Sequence, residues 1–337
     1  MSTEFNAVYS PRFELEVGGT TYREAGGLMG DLKVETTVQG ADLCSFTLNY
    51  PFDAEQRAFS DLDWGSIEPG TDVEAAVGWG GEGGTSPVFT GTSQSIRADF
   101  SPQEGATVAV SGYGLLHDMM QGVVERSWSD ATAVDVAREV LGSYFPNVEV
   151  DGPGIQRNRI IQHGQNDYRF VRGLADEYGF EFYADRDTAH FTPRSSIGKG
   201  DPAATLAYGN TLDSFSAEIS ASRQVETVEV RYWDMSGERE IVGSASGDGE
   251  GKEVFRIACD SKEEADRIAE GKLSELTMAR ATGHGETDGV PAITAGETIR
   301  LEELGDRLSG NYYVTRATHR IGGSGYRTSF EVTEISE

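Results

Sequence analysis

Apolar and polar residues alternate in short runs from the start of the chain to about residue 111: Phe13 to Val17, Leu32 to Val38, Cys44 to Tyr50, Asp72 to Trp79 and Thr107 to Val110. A period of two puts successive side chains on opposite faces, so each run predicts a β-strand with one buried face. Gly18 and Gly19, between Val17 and Thr20, predict a tight hairpin, and the glycine-rich Gly80 to Gly84 predicts a longer loop before a strand around Val88 and Phe89. Residues 1–111 therefore read as an all-β unit, and closure into a barrel or sandwich would limit its exposed strand edges.

The period changes near residue 112. Val134, Ala137, Val140 and Leu141 share a helical face, with Asp130 placed to cap that helix and Gly142 near its end. After the extended run Arg159 to His163, Asn166 is placed to cap a second helix. Its apolar stripe is Phe170, Val171, Leu174, Ala175 and Tyr178, and Gly179 stands where the helix should stop. Phe180 to Tyr183 and His190 to Thr192 return to strand character, making 112–202 a small α/β connecting domain.

Alternation resumes in 203–337, over Leu212 to Ser220 and Gln224 to Trp233. There Val225, Val228 and Val230 slip by one position, as a bulge would produce. Gly243 to Gly251 reads as a polar loop, and Ser261 with Glu264 forms a capping box that opens a helix running through Leu276. Strands are expected at Glu297 to Leu301, Tyr312 to His319 and Tyr326 to Val332, so the last third is a second β unit carrying one helix. No repeat of ~20–50 residues recurs, which leaves a solenoid or propeller without support.

A chain of 337 residues suggests two or three domains. It carries 56 acidic against 28 basic side chains, a formal net charge of −28, and the basic set comprises 23 Arg and 5 Lys. Binding of nucleic acid through a net positive footprint is excluded on that balance. Disorder is not the reason for the charge, because 13 Tyr, 15 Phe and 4 Trp supply packed cores. A carboxylate-rich, lysine-poor surface suits a protein kept hydrated in concentrated salt; acids lining a channel that carries a polyanion are an equally compatible reading.

No apolar run reaches the ~20 residues that span a bilayer, and the first residues lack the basic and apolar regions of a secretory signal. Synthesis in the cytoplasm and no stable membrane insertion are expected. Cys44 and Cys259 fall on the apolar parity of Cys44/Phe46/Leu48 and Phe255/Ile257/Cys259, which predicts buried free thiols rather than a disulfide.

Residues suited to catalysis are scattered. Only His117 and His284 have a nearby carboxylate in sequence, and neither shows helical His-x-x-x-His spacing or a cysteine partner, so no metal set is assigned. The glycine-rich stretch ending in Gly251-Lys252 fails as a phosphate loop: Glu253 stands where Ser or Thr should bind magnesium, and Ser246 where the first glycine belongs. Asp248 and Glu250 lack the calcium-loop pattern. No nucleophile elbow or dinucleotide fingerprint appears, and no cofactor is assigned. A glycosidase needs only two suitably spaced carboxylates, which keeps a tail-associated cell-wall polysaccharide hydrolase open as an alternative; a carbohydrate-binding β protein is another.

The segment from Gln165 to Tyr183, with Asn166 at the cap, Phe170 and Leu174 on the stripe, Gly179 at the stop and Phe180 opening the aromatic strand, resembles a signature of the VgrG and phage late control protein D family. Tyr208 to Phe215 followed by Val225 to Trp233 resembles the family's return strand. Ala295 to Leu301, the run from Gly310 through Tyr313 to His319, and the run from Gly325 through Tyr326 to Phe330 and Glu331 resemble its C-terminal finish. These pieces span about 110 to the end, and the first β unit agrees in type. The resemblance implies a non-enzymatic baseplate hub of a contractile tail, in a virion or an injection particle. It implies a mainly β chain with two tube-protein-like β-barrel domains joined by the small α/β domain, and a homotrimer that forms a pseudo-sixfold ring. The implied partners are the tail tube protein, a separate spike protein, other baseplate subunits, and DNA or protein cargo in an axial channel.

Overall fold

The computed structural model describes residues 10–23, 29–80, 84–101, 105–152, 154–219, 225–235, 237–278 and 281–335. The expected loop residues 81–83 and the strand-end residues Ser220 and Gln224 lie outside that set.

The molecule is mainly β, organised around one 13-stranded sheet. From one edge its order is Ser214–Ile219, Ala281–Asp288, Gly325–Glu334, Gly310–Gly322, Met29–Thr37, Leu43–Leu48, Gly105–Gly114, Thr85–Ser101, Asp72–Trp79, Pro11–Val17 and Thr20–Tyr22. Thr298–Glu302 also pairs with Gly310–Gly322, and Ala204–Ala207 pairs with Thr298–Glu302. The two β-rich ends of the chain are thus hydrogen-bonded to each other. Met29–Thr37 runs antiparallel to Gly310–Gly322, in register from Thr37 opposite Arg316 to Leu32 opposite Ile321.

Local chemistry explains the turns. Gly18 and Gly19 both adopt positive φ, at 55° and 79°, which matches the right-handed twist of the hairpin that pairs Val17 with Thr20. Helix α1 is the single turn Leu116–Met119, α2 is Ala133–Leu141, α3 is Asp167–Tyr178 and α4 is Lys262–Met278. The expected stripe on α3 is buried in full.

Five expectations need correction. The cap of α2 is Thr132, whose backbone is extended and whose hydroxyl accepts the Asp135 N–H at 3.1 Å; Asp130 stands at φ 50° inside the preceding strand. Val225 precedes the strand Thr227–Asp234, which pairs with Arg239–Ser246 in unbroken register, so no bulge is needed. That partner strand extends to Ser246 and shortens the expected Gly243–Gly251 loop. Strand Lys252–Phe255 ends before Cys259. The Ser261–Glu264 box is half formed: Ser261 Oγ accepts from Glu264 N at 3.1 Å, while the Glu264 carboxylate reaches Asp260 N at 2.7 Å rather than the cap's own N–H.

Three main cores form. The first lies under the N-terminal strands and takes in Ile321 and Tyr326 from the C-terminal hairpin. The second combines α2, α3 and the strands Phe180–Asp185 and Thr188–Pro193 with Val228, Val230, Ile241, Ala245 and three apolar residues of α4. The third lies between Leu206, Ile299, Val314 and Phe330. Cys44 and Cys259 are both free and buried, in the first and second cores respectively, and burial pushes both thiols up, Cys259 to about 11.

Candidate functional site

The signature residues fall on two elements. On the first, Asn166 Oδ1 accepts the Arg169 N–H at 2.9 Å while its amide donates to the Met120 carbonyl at 2.9 Å, so the α3 cap also holds the end of α1. Phe170, Leu174 and Phe180 enter the second core, where Phe170 stacks on Trp128 and Phe180 on Phe191. Gly179 closes α3 in the left-handed region at φ 73°. It has a second constraint: a Cβ there would lie 2.5 Å from the Cα of Gly271, because α4 crosses this helix end backbone to backbone.

On the C-terminal hairpin, Gly310–Gly322 and Gly325–Glu334, the four signature residues point into different cores. Phe330 lies in the third core and Tyr326 in the first, where it packs on Trp79 with ring centroids 5.5 Å apart. Trp79 in turn donates from its indole nitrogen to the Gly289 carbonyl at 2.6 Å. Tyr313 joins Val38 and Ala295 in a small cluster flanked by Tyr183, Ile197 and Ile335. His319 is buried with Nδ1 2.9 Å from the Tyr326 hydroxyl and 3.1 Å from Thr328 Oγ1. The two signature elements do not meet in one pocket; together they are the joint between the cores.

Charged groups in this joint are paired among themselves. Arg172 on α3 donates to the carbonyls of Val38 and Phe182, lies over the Tyr168 and Phe182 rings and faces Glu181 at 3.5 Å. Arg194 bridges Glu181 at 3.2 Å and Asp176 at 2.8 Å. Burial raises the Glu181 carboxyl, against the pull of Arg194 and Arg172. At the N-terminus of α3, burial works to raise Asp167, yet hydrogen bonds from Gln162, Tyr144 and Arg126 outweigh it and hold the carboxyl below its ordinary range. On the far side, Arg157 pairs with Glu264 at 3.0 Å and Glu177 at 3.3 Å, and the Tyr178 hydroxyl donates to Glu264 at 2.7 Å. Sequence patterning missed Arg157, Arg172, Arg194 and Gly271. Glu264 was visible only as half of a capping box.

This arrangement suits holding parts together more than performing reactions, since its acids are committed to arginines. Among the described residues no group of three or more His, Cys, Asp or Glu is placed to hold a metal ion, and no helix is long and apolar enough to cross a membrane.

One titration follows from the joint. Burial lowers His319 to about 4, below the ~6.5 of an exposed histidine. As pH falls from 6.5 toward 4 the unfolded chain takes up a proton that the folded chain refuses, so stability is lost across that window. Asp42, which burial raises to about 8, holds in the folded chain a proton that the unfolded chain lacks over the same window and opposes this loss, so the test is the difference between proteins: from pH 7.5 to 5.0 the wild type is expected to fall about 2 kcal/mol relative to His319→Gln in thermal melts; parallel pH dependence in the two would place the titration elsewhere.

Residues 47–325 match the family described as phage tail baseplate hub (GPD). The chain belongs to that family. Solved structures agree on the fold of this hub protein across nearly its whole length. The tail protein from Neisseria meningitidis MC58 superposes with a TM-score of 0.72 at 13% identity, covering 97% of each chain. The 43 kDa tail protein of prophage MuSo2 from Shewanella oneidensis gives 0.71 at 15% identity, covering 96% of the hub chain and 98% of its own. An Escherichia coli component of the type VI secretion system, described as structurally similar to T4 bacteriophage tail proteins, gives 0.64 at 12% identity over 96% of the hub chain and 77% of its own. No curated protein matches the sequence. The expected kinship with the late control protein D and VgrG group is thereby met, and the family is a structural one.

Proposed function

We propose that this hub protein assembles as a homotrimer in the baseplate of a contractile tail and joins a sixfold tail tube to a separate threefold spike around an axial channel. The observation that carries this reading is the single sheet running through both β-rich ends of a chain that belongs to the hub family. A chain with two tube-like β units, fused strand to strand, offers two equivalent faces per copy and six per trimer, which is what a sixfold tube requires. The joint supports it mechanically, because the two β units are tied by backbone pairing between Met29–Thr37 and Gly310–Gly322 rather than by a linker. The cargo, DNA or protein, passes through the channel. The −28 charge keeps the outer surface hydrated in concentrated salt, and lumen-facing acids repel phosphates. The chain is made in the cytoplasm and enters the particle on assembly, with other baseplate subunits around it.

Deletion of the gene is expected to abolish tube-and-sheath assembly as seen by electron microscopy, with restoration when the chain is supplied in trans. Tails of normal length in the deletion strain would refute the hub role.

A further inference from the structure

The connection 38–42, between the strands Met29–Thr37 and Leu43–Leu48 of the first β unit, touches both other parts of the chain. Toward the C-terminal unit, the Val38 N–H donates to the Thr315 carbonyl at 3.0 Å, its side chain joins Ala295 and Tyr313, and Thr36 Oγ1 accepts the Ala295 N–H at 2.9 Å. Toward the α/β domain, the Val38 carbonyl accepts from Arg172 and Ala41 packs against the second core.

At the foot of this connection lies Asp42, 7% exposed. Its Oδ1 accepts the Thr37 N–H at 2.9 Å, which closes the connection on itself, and its backbone carbonyl accepts the Gly114 N–H at 2.9 Å. Both donors are neutral. Four acids are buried among the described residues, and three of them meet an arginine: Asp167 meets Arg126, Glu181 meets Arg194 and Arg172, and Glu264 meets Arg157. Asp42 has no ion-pair partner among the described residues. The charges that act on it are negative, Asp185 from the α/β domain and Glu35 from the strand before it. The cations behind those two are committed to them, Arg186 to Asp185 at 2.6 Å and Lys33 and Arg316 to Glu35 at 2.9 and 3.8 Å. From the C-terminal unit Glu297 adds its charge beside Asp185. An ionised carboxylate at Asp42 would have neither water nor a cation, so the buried group is neutral. Burial raises it to about 8, Asp185 and Glu35 add to the rise, and the Thr37 N–H opposes it.

We infer that Asp42 is a proton latch on the joint: with its proton it seats the connection 38–42 between the three parts of the chain, and without it Asp185 and Glu35 drive the connection out and loosen the first β unit. A seated carboxyl keeps its proton up to about pH 8, whereas an unseated one in water loses it near ~3.9. The latch therefore weakens as pH rises from 4 to 8 and weakens no further above 8.

Amide hydrogen exchange of Thr37 in the full-length chain, wild type against Asp42→Asn, tests this. The variant keeps an acceptor for Thr37 and cannot ionise, and the ratio of the two rates cancels the chemical pH dependence of exchange. That ratio is expected to rise about 50-fold from pH 6 to 8 and less than about twofold from 8 to 9, with no rise at Leu15 in the strand Pro11–Val17. A ratio that stayed flat would overturn the latch, and so would an equal rise at Leu15, which would make the titration one of global unfolding. In Asp185→Asn, measured against the double variant with Asp42→Asn, the plateau is expected to begin at a lower pH; an unmoved plateau would also overturn it.

Discussion

Replacing Arg157 with Met is expected to cost about 3–5 kcal/mol of stability, because it leaves a buried carboxylate without its counter-ion. The Glu264 side chain is fully buried, and its partners are the Arg157 guanidinium at 3.0 Å, the Tyr178 hydroxyl and the Asp260 backbone N–H. The latter two are neutral donors and cannot replace the charge. Glu177, 3.3 Å from the same arginine, is already raised by burial and rises further when Arg157 no longer opposes it. Adding Glu264→Gln removes the stranded charge, so the double variant should lose less than the sum of the single losses, with a coupling of about 1–3 kcal/mol. Urea unfolding followed by tryptophan fluorescence measures all three. Additive losses below about 1 kcal/mol for Arg157→Met would show that the pair carries little of the joint.

Gly271→Ala should destabilise by about 3 kcal/mol even though alanine is the better helix former by ~1 kcal/mol. A Cβ at Gly271 would stand 2.5 Å from the Gly179 backbone nitrogen and 2.8 Å from its Cα, and backbone atoms cannot rotate away. Nor can α4 retreat, since a Cβ on Gly243 of the strand on its other side would lie 2.2 Å from Asp266 N. Gly173→Ala on α3 is the control: nothing lies within 4 Å of that added methyl, and a gain of up to ~1 kcal/mol is expected. Thermal melts that moved both variants the same way would contradict the close helix crossing.

Alternation located most strands because a half-buried sheet imposes period two directly on the residues, as at Asp72–Trp79, where the expected and observed bounds coincide. Asn166 and Gly179 were legible for a similar reason, since a cap and a left-handed stop are decided within a few residues. The α2 cap was not, because Asp and Thr both accept at a cap and the choice turned on which residue was extended. Long-range partners left no local trace. Nothing near Leu32 says that it lies opposite Ile321, and nothing near Val228 says that α4 will cover it, because such contacts depend on how elements far apart in sequence come to lie together. The aromatic positions of the C-terminal finish were visible as apolar parity, but their division between the first core, the third core and the small cluster around Tyr313 became visible only in the folded chain.

The trimeric ring is tested most directly by native mass of the purified chain in concentrated salt with its spike protein present and absent, followed by imaging of the dominant species. A particle of three times the 36.4 kDa chain mass, alone or carrying the spike, that images as a ring with an open axis is the predicted result. A monomer under both conditions would contradict it.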